Sequence, residues 1–146
     1  MLAFNPDGTR LATIVSTATS IASISKGPGE VVVWDIPGGQ ELFRLKGLFN
    51  GLEAVAYSPD GKRIATCSAG RSDTERQVRL WDAATGAELL NLVAFQDNFI
   101  DRFADYKLSF NPDGTRLALD ALHSPGGLLP GRRLRVWDAT PLPEKR

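Results

Sequence analysis

The chain has 146 residues, the usual length of one domain, and its 17 Lys and Arg residues are balanced by 17 Asp and Glu residues. Zero net charge argues against a nucleic-acid binder that relies on phosphate neutralisation, and no run approaches the roughly 18 apolar residues of a membrane helix. One cysteine excludes an internal disulfide, and one histidine excludes a metal site built from several histidines. We therefore expect neither nucleic acid nor a membrane as a partner.

The chain opens with a short apolar segment and a tight turn. Leu2 to Phe4 predicts the end of a strand, and Pro6-Asp7-Gly8 follows it. Proline suits the second position of a type I turn, and glycine supplies the left-handed residue that returns the chain as a hairpin. The first residues contain neither a basic start nor a long apolar run, so we expect no signal peptide and a cytoplasmic protein.

The same turn recurs at a fixed spacing. The aromatic residue that precedes it stands at positions 4, 57 and 110, so both steps are 53 residues. A Trp-Asp pair follows each copy, and a fixed period of this size marks a repeat architecture built from one small β-unit. The repeated residues, which we interpret as structural, are Pro6, Asp7, Gly8, Trp34 and Asp35, then Pro59, Asp60, Gly61, Trp81 and Asp82, then Pro112, Asp113, Gly114, Trp137 and Asp138.

The middle copy predicts four strands in succession. Leu52–Tyr57 is strand a, and Lys62–Cys67 is strand b after the turn. Gln77–Trp81 alternates with period two as strand c, and Ala87–Val93 is strand d after a second tight turn closed by Gly86. Four antiparallel strands joined as a meander make one propeller blade.

These motifs together resemble the WD40 repeat family of β-propellers. The matching features are the aromatic-Ser/Asn-Pro-Asp-Gly turn, the Leu/Val-x-Leu/Val-Trp-Asp strand, and the Asp-x-x-Thr-Gly turn at 82–86. They occur in phase and span nearly the whole chain. The resemblance implies an all-β protein made of propeller blades that binds other proteins.

The chain departs from the family pattern before strand a. The family often carries a Gly-His pair there, whose histidine joins a hydrogen-bond network with a Trp, a Ser or Thr and an Asp. Here Gly47 is followed by Leu48, and no Gly-His pair precedes the third repeat, so the full network is not expected in any blade. In the second blade, Asp73 with Ser68 or Thr66 is a candidate remnant of it.

The third blade is incomplete, and three blades do not close a ring. After Asp138 the chain continues through Pro141 and Pro143, which suit a strand poorly, so no strand d is expected. Propellers close with roughly four to eight blades, so we expect an incomplete or open propeller. We favour a piece of a larger propeller over self-association through the exposed outer blades, because a second copy has no spare strand d to donate. The expected boundaries are 1–47, 48–95 and 104–138 for the blades, within a repeat region of 1–140, and 141–146 for a polar tail.

The variable lengths of the repeat fall at one end of the blades. In an up-down meander, the b–c and d–a loops share one end, and the tight a–b and c–d turns share the other. Long, diverse loops on a rigid scaffold are where binding sites tend to lie, and the family resemblance implies the same face. We expect a protein or peptide to bind there through Phe49, Arg71, Asp73, Arg76, Phe99, Arg102 and His123. The alternative is that these phenylalanines pack the loops and the charged groups are solvated tips.

The function predicted from the sequence is a protein-interaction scaffold without catalytic residues, cofactor or metal. The sequence contains no nucleophile elbow, phosphate loop or histidine–carboxylate constellation. Two alternatives stay open. One is a regulatory or sensory segment attached to a catalytic domain such as a protein kinase, and the other is a fragment of a propeller enzyme. The step from fold to function rests on the family resemblance.

Overall fold

A computed structural model describes residues 1–16, 29–46, 51–69, 75–96, 105–122 and 131–139 of the chain. Over these ranges the protein is all-β, with eleven strands and no helix. The strands are β1 (Leu2–Phe4), β2 (Arg10–Ser16), β3 (Gly29–Asp35), β4 (Gln40–Leu45), β5 (Leu52–Tyr57), β6 (Arg63–Ala69), β7 (Glu75–Asp82), β8 (Glu88–Gln96), β9 (Asp105–Phe110), β10 (Arg116–Leu122) and β11 (Arg132–Asp138).

The strands form three antiparallel meanders that follow one another along the chain. The first sheet has the order β1-β2-β3-β4 and the second β5-β6-β7-β8, so each supplies strands a to d of a complete blade. The third sheet has the order β9-β10-β11 within the described residues, and the expected polar tail at 141–146 lies outside them. The all-β fold of propeller blades expected from the sequence is therefore confirmed.

The repeated Pro-Asp-Gly turns have the geometry that their residues predict. Gly8, Gly61 and Gly114 have φ values of 74°, 69° and 72°, a region that only glycine adopts without strain. The backbone N–H of each glycine donates to the carbonyl oxygen three residues earlier, at 2.9 to 3.0 Å. Each turn thereby joins strands a and b of its sheet as a tight hairpin.

The same row of side chains crosses strands a, b and c in every sheet. An aromatic residue on strand a pairs in register with an aliphatic residue on strand b, which pairs in turn with the tryptophan on strand c. In both complete sheets a β-bulge stands immediately before the tryptophan in the pairing of strands c and d. The three rows are Phe4–Leu11–Trp34, Tyr57–Ile64–Trp81 and Phe110–Leu117–Trp137.

Two apolar clusters hold the three sheets together. The first joins sheet one to sheet two, where Val31, Val33 and Leu45 pack with Ile64 and Trp81. The second joins sheet two to sheet three in the same way. Full burial of one such aliphatic side chain contributes about 1.5–3 kcal/mol, so these clusters dominate the stability of the stack.

Among the described residues, the outermost face of the first sheet and that of the third sheet carry exposed apolar side chains. Neighbouring sheets contact each other mainly through their inner strands, β1 and β2 against β5, and β5 against β9. On the outer face of sheet one, Leu2 and Phe4 are 58% and 55% exposed. On the outer face of sheet three, Leu134 and Val136 are 64% and 50% exposed.

Candidate protein-interaction site

The two ends of the sheets differ in the length of their connections. Every connection of more than five residues lies at the end formed by the b–c and d–a loops, which we name the loop face. The opposite end, which we name the turn face, carries only connections of four or five residues. The loop face comprises 17–28, 46–51, 70–74, 97–104 and 123–131, and the turn face comprises 5–9, 36–39, 58–62, 83–87 and 111–115.

Only one of the expected partner-binding residues falls within the described part of the chain. Arg76 is the second residue of β7, immediately after the loop at 70–74. The other six residues lie outside the described ranges, and their role stays a prediction. They are Phe49, Arg71, Asp73, Phe99, Arg102 and His123.

Arg76 is buried where the second and third sheets meet. Its Nε lies 3.1 Å from Oε2 of Glu53, and both side chains are only 8% exposed. Its guanidinium carbon lies 5.3 Å from the ring centroid of Tyr106, within the range of a cation–π contact. Because Glu53 stands on β5, Arg76 on β7 and Tyr106 on β9, the group joins three strands of two sheets.

The electrostatics of this group favour a charged pair. Burial is the largest influence and lowers the pKa of Arg76, but the charge of Glu53, the contact with Tyr106 and a smaller contribution from Cys67 together outweigh it, so the pKa is raised. Burial also raises the pKa of Tyr106, so its hydroxyl is protonated at neutral pH. Arg76 is thus buried at the base of the loop face, whereas the sequence predicted an accessible residue that contacts a partner.

Glu53 and Tyr106 were missed by the sequence analysis. Glu53 is the one charged residue in the predicted strand Leu52–Tyr57, and the structure places it at a β-bulge between Leu52 and Ala54. A carboxylate inside an apolar strand needs a cation when the strand is buried. That signal points to a partner, although the sequence does not say which arginine supplies it.

The aspartates of the turn face are occupied with holding their turns. Oδ1 of Asp60 accepts hydrogen bonds from the Ser58 hydroxyl at 2.5 Å and from the Lys62 backbone N–H at 3.0 Å. The Ser58 hydroxyl bond, followed by the Lys62 N–H bond, lowers the pKa of Asp60. Asp7 and Asp113 make matching bonds to the threonines two residues later, with lowered pKa values for the same reason. These are the contacts of turn residues.

Two of the three tryptophans donate to a threonine of the neighbouring strand. The indole N–H of Trp81 donates to Oγ1 of Thr66 at 3.0 Å, and that of Trp34 to Oγ1 of Thr13 at 2.9 Å. The corresponding position beside Trp137 is Leu119, which is fully buried and has no acceptor atom. Thr66, one of the residues proposed to share a network with Asp73, therefore has Trp81 as its partner, and Asp73 lies outside the described residues.

The inner strands line a shallow groove at the turn face. Its volume is about 420 Å³, and it is bordered by Phe4, Tyr57 and Phe110, the three aromatic residues that precede the repeated turns. The described residues contain no group of three or more His, Cys, Asp or Glu side chains that could hold a metal ion. They also form no helix long and apolar enough to cross a lipid bilayer.

The stacked meanders, joined through their first strands, define the class of the protein. Two antiparallel sheets of four strands and a third of three described strands, packed face to face, have the form of β-propeller blades. Because its three sheets follow one another without closing into a ring, the described part of the chain is an open segment of such a propeller.

The sequence comparisons identify the repeat. Residues 39–82 match the family described as WD domain, G-beta repeat (WD40). The matched unit begins just before β4 of the first sheet and ends with the Trp81-Asp82 pair of the second. The resemblance noted from the sequence is thereby confirmed over residues 39–82, which match one WD40 repeat.

Similar proteins match the chain over short stretches. Centriole proteome protein 16 of Chlamydomonas reinhardtii is 42% identical over 72 residues, which are 43% of this chain and 3% of that protein. Periodic tryptophan protein 2 homolog of Mus musculus is 32% identical over 73 residues, 50% of this chain and 7% of that protein. Coronin-7 of Rattus norvegicus is 41% identical over 51 residues, 34% of this chain and 5% of that protein. The chain thus spans a small part of the length of these relatives.

A structural comparison supports the fold. Hydrazine synthase of Kuenenia stuttgartiensis superposes with a TM-score of 0.66 at 16% identity, covering 94% of this chain and 38% of that one. At this identity the likeness extends to the fold alone.

Proposed function

We propose that this chain is a protein-interaction module, part of a larger propeller, that binds a protein or peptide through its loop face. One observation carries the proposal: every connection of more than five residues emerges at that end of the sheets. Connections of varied length and chemistry on a rigid scaffold are the usual place for a binding site. The turn face carries repeated short turns whose aspartates accept hydrogen bonds from the backbone of the same turn.

The scaffold under the loop face is rigid at its base. The buried pair Glu53–Arg76 fixes the start of β5, which follows the connection at 46–51, and the start of β7, which follows the loop at 70–74. A loop anchored at its base loses less conformational freedom on binding than one that is free at both ends. The proposal therefore assigns Arg76 to positioning, with direct contact left to Phe49, Arg71, Asp73, Phe99, Arg102 and His123.

The expected ligand is a segment of protein, and no catalytic chemistry is part of the proposal. The aromatic and arginine residues among these six are the types that supply most of the binding energy in protein interfaces. Asp73 beside Arg71 favours a ligand with charges of both signs. We place this interaction in the cytoplasm, consistent with a single, fully buried cysteine, Cys67.

The test compares the two faces of the same protein. The chain is used to capture proteins from a cell lysate, a captured partner is purified, and its affinity is measured by calorimetry. The double variant Phe99→Ser with Arg102→Glu should weaken binding at least tenfold, since these residues belong to the loop face. The matched control Lys62→Glu changes an exposed charge on the turn face and should leave affinity unchanged. The proposal would be overturned if Lys62→Glu lost affinity for the partner while the Phe99→Ser, Arg102→Glu variant kept it.

The regulatory alternative, in which the repeats adjoin a catalytic domain such as a protein kinase, stays a prediction. Sequencing the reading frame on both sides of the region that encodes this chain distinguishes the two functions. A kinase domain in the same frame supports the alternative, and further repeats alone support the scaffold.

A further inference from the structure

The last strands of the two complete sheets, β4 and β8, each have one free edge. Within the described residues β4 pairs only with β3 and β8 only with β7, so the backbone groups on their other side have no partner strand. Such an edge is a template for a further strand, and natural proteins often protect it with charged side chains. Each edge lies in the plane of its own sheet, on the side away from strand a. It is therefore the same whether or not further sheets adjoin the three described here.

The edge of the first sheet is protected by charge. Nε of Arg44 on β4 lies 2.7 Å from Oε1 of Glu41 on the same strand. Its Nη1 lies 2.9 Å from Oε2 of Glu30 on β3. A strand that docked on β4 would take part of this ionic network out of water, which is costly. The edge of β4 is therefore unsuited to pairing.

The edge of the second sheet lacks this protection. Residues 89–96 of β8 contain no charged residue, proline or glycine. Leu89, Leu90 and Val93 are 53%, 46% and 52% exposed, and Asn91 between them is exposed as well. A long, uncharged and exposed edge of this kind is one that pairs readily with another strand.

The regular part of this edge lies between two β-bulges. Residues 90–93 pair without interruption with residues 77–80 of β7, and the bulges place Leu89 and Ala94 outside the ladder. Because side chains alternate along a strand, Asn91 and Val93 lie on one face of the sheet, and Leu90 and Leu92 on the other. A further strand would therefore find its regular register at 90–93.

This stretch is complementary to itself in one antiparallel register. When two copies of a strand pair about a twofold axis, the axis passes through one residue, and residues equally distant from it stand opposite each other. With the axis at Asn91, this residue meets its own copy, and Leu90 meets Leu92. The exposed Leu89 then comes beside Val93. An axis at Leu92 would instead place the amide of Asn91 opposite the apolar Val93.

The side chain of Asn91 suits the centre of such a contact. Its Nδ2 lies 3.5 Å from Oε1 of Gln77, a long hydrogen bond that leaves one N–H and the carbonyl oxygen available within the described part of the chain. Two amides that face each other can exchange hydrogen bonds. The one charged residue of β8, Glu88, falls opposite Ala94 in this register and is already paired with Arg79 at 3.1 Å. Like charges therefore do not meet.

We propose that β8 pairs with β8 of a second copy of this chain, antiparallel and centred on Asn91. The pairing joins the two second sheets edge to edge into one continuous sheet, to which each copy contributes four strands. The contact is isologous, since both copies use the same residues, so it closes at two copies. The proposal does not rest on partner binding at the loop face, and it does not involve the outermost faces of the first and third sheets.

The dimer should be reversible. A contact through one pair of strands is small beside the roughly 1,200–2,000 Å² of standard interfaces. Main-chain hydrogen bonds supply the affinity of such an edge contact, and the alternate side chains fix its register. We therefore expect the fraction of dimer to rise with protein concentration.

Sedimentation velocity over a range of concentrations tests the association. The average mass should rise from that of one chain toward that of two, and no further. Asn91→Lys should hold the mass at one chain, because it places like charges opposite each other at the axis. Asn91 is exposed, so the fold should survive, which far-ultraviolet circular dichroism verifies. The matched control Leu42→Lys changes an exposed residue of β4 and should associate as the wild type does.

Mixing two charge variants tests the position of the axis. Asn91→Lys and Asn91→Glu should each keep the mass of one chain, and an equal mixture should regain association because unlike charges then meet. A wild type that keeps the mass of one chain at every concentration would overturn the proposal, whether or not a strand of another protein pairs with β8. Larger species in the wild type, or a mixture that stays at one chain, would overturn it as well.

Disulfide trapping tests the register without relying on charge. Opposite residues of antiparallel strands have Cα atoms about 4.5–5.5 Å apart, within the reach of a disulfide. Asn91→Cys should therefore give a disulfide-linked dimer in oxidised glutathione, and the native Cys67 is fully buried. Val93→Cys lies on the same strand and face, but its own copy stands four residues along the partner strand, so it should not link. Equal linking at 91 and 93 would show that the register is wrong.

Discussion

The indole N–H of Trp81 donates a hydrogen bond to the hydroxyl of Thr66 inside the second sheet, at 3.0 Å. Thr66 is fully buried and Trp81 is 3% exposed, so neither group has water as an alternative partner. A hydrogen bond in such a place contributes less through its own strength than through the cost of leaving its donor without an acceptor.

Thr66→Val should therefore destabilise the protein. The change keeps the shape of the side chain and removes the acceptor, which leaves a buried N–H unsatisfied at a cost of about 1–3 kcal/mol. The same change at Thr13 should cost less, because Thr13 and Trp34 are only half-buried and line an open cavity where water can replace the hydroxyl. Urea unfolding followed by far-ultraviolet circular dichroism measures both. Equal losses at the two positions would show that burial does not govern the effect.

Leu119→Thr should be at least as stable as Leu119→Val. Leu119 takes the place beside Trp137 that Thr66 takes beside Trp81, so a threonine there can accept the indole hydrogen bond. Both changes remove the same volume, and they differ only in the hydroxyl. At Val78, a fully buried site with no indole donor in the corresponding place, Val→Thr should cost about 1–3 kcal/mol. A similar penalty for threonine over valine at 119 would contradict the proposed replacement.

Breaking the Glu53–Arg76 pair from one side should be costly, and removing both partners should not. Glu53→Leu or Arg76→Met leaves one charge buried, at a cost of about 3–5 kcal/mol. The double variant leaves none, so its free energy of unfolding should lie close to that of the wild type. Asp120→Ala, which breaks the more exposed pair with Arg132, should cost no more than about 1 kcal/mol. Additive single and double effects at Glu53 and Arg76 would show that the two residues are not coupled.

Acid should weaken the turn face. The pKa of Asp60 in the folded protein lies below its ordinary value of 3.8, so the carboxylate stabilises the fold fully above that pH. This contribution is lost as the pH falls through the lower pKa of the folded state. Asp60→Asn should lower the melting temperature at pH 7, and the difference from the wild type should shrink below pH 3.8. A difference that stays constant down to pH 2.5 would rule out the carboxylate as its source.

The periodic part of the fold could be predicted from the sequence because each repeated residue acts locally. A Pro-Asp-Gly turn determines the hairpin that it closes. The alternation of apolar and polar residues along a strand determines on which face of the sheet each side chain lies. Strand ends were less well predicted: strand d of the second blade was expected at 87–93 and runs to Gln96. Its pairing with β7 continues to Glu75, beyond the residues whose apolar pattern defined the strand.

Contacts that depend on two sheets meeting were not predictable from one sequence. Glu53 and Arg76 stand 23 positions apart in the chain, and Tyr106 comes from the next sheet. Nothing in the local pattern of β7 shows that its second residue turns inward. The end of the sheets that carries the long connections could be predicted, because connection lengths follow directly from the spacing of the repeated motifs, and its role in binding stays a prediction.

The WD40 unit at 39–82 contributes one strand to the first sheet and three strands to the second. Deletion of this unit would remove β4 to β7 and leave β1, β2 and β3 followed by β8, which is again a set of strands a to d. Duplication would likewise add one complete set of four strands. Blade number can change by whole units while each strand d keeps its neighbour. The offset between the sequence unit and the structural sheet thus allows whole units to be gained or lost without leaving an incomplete sheet between them.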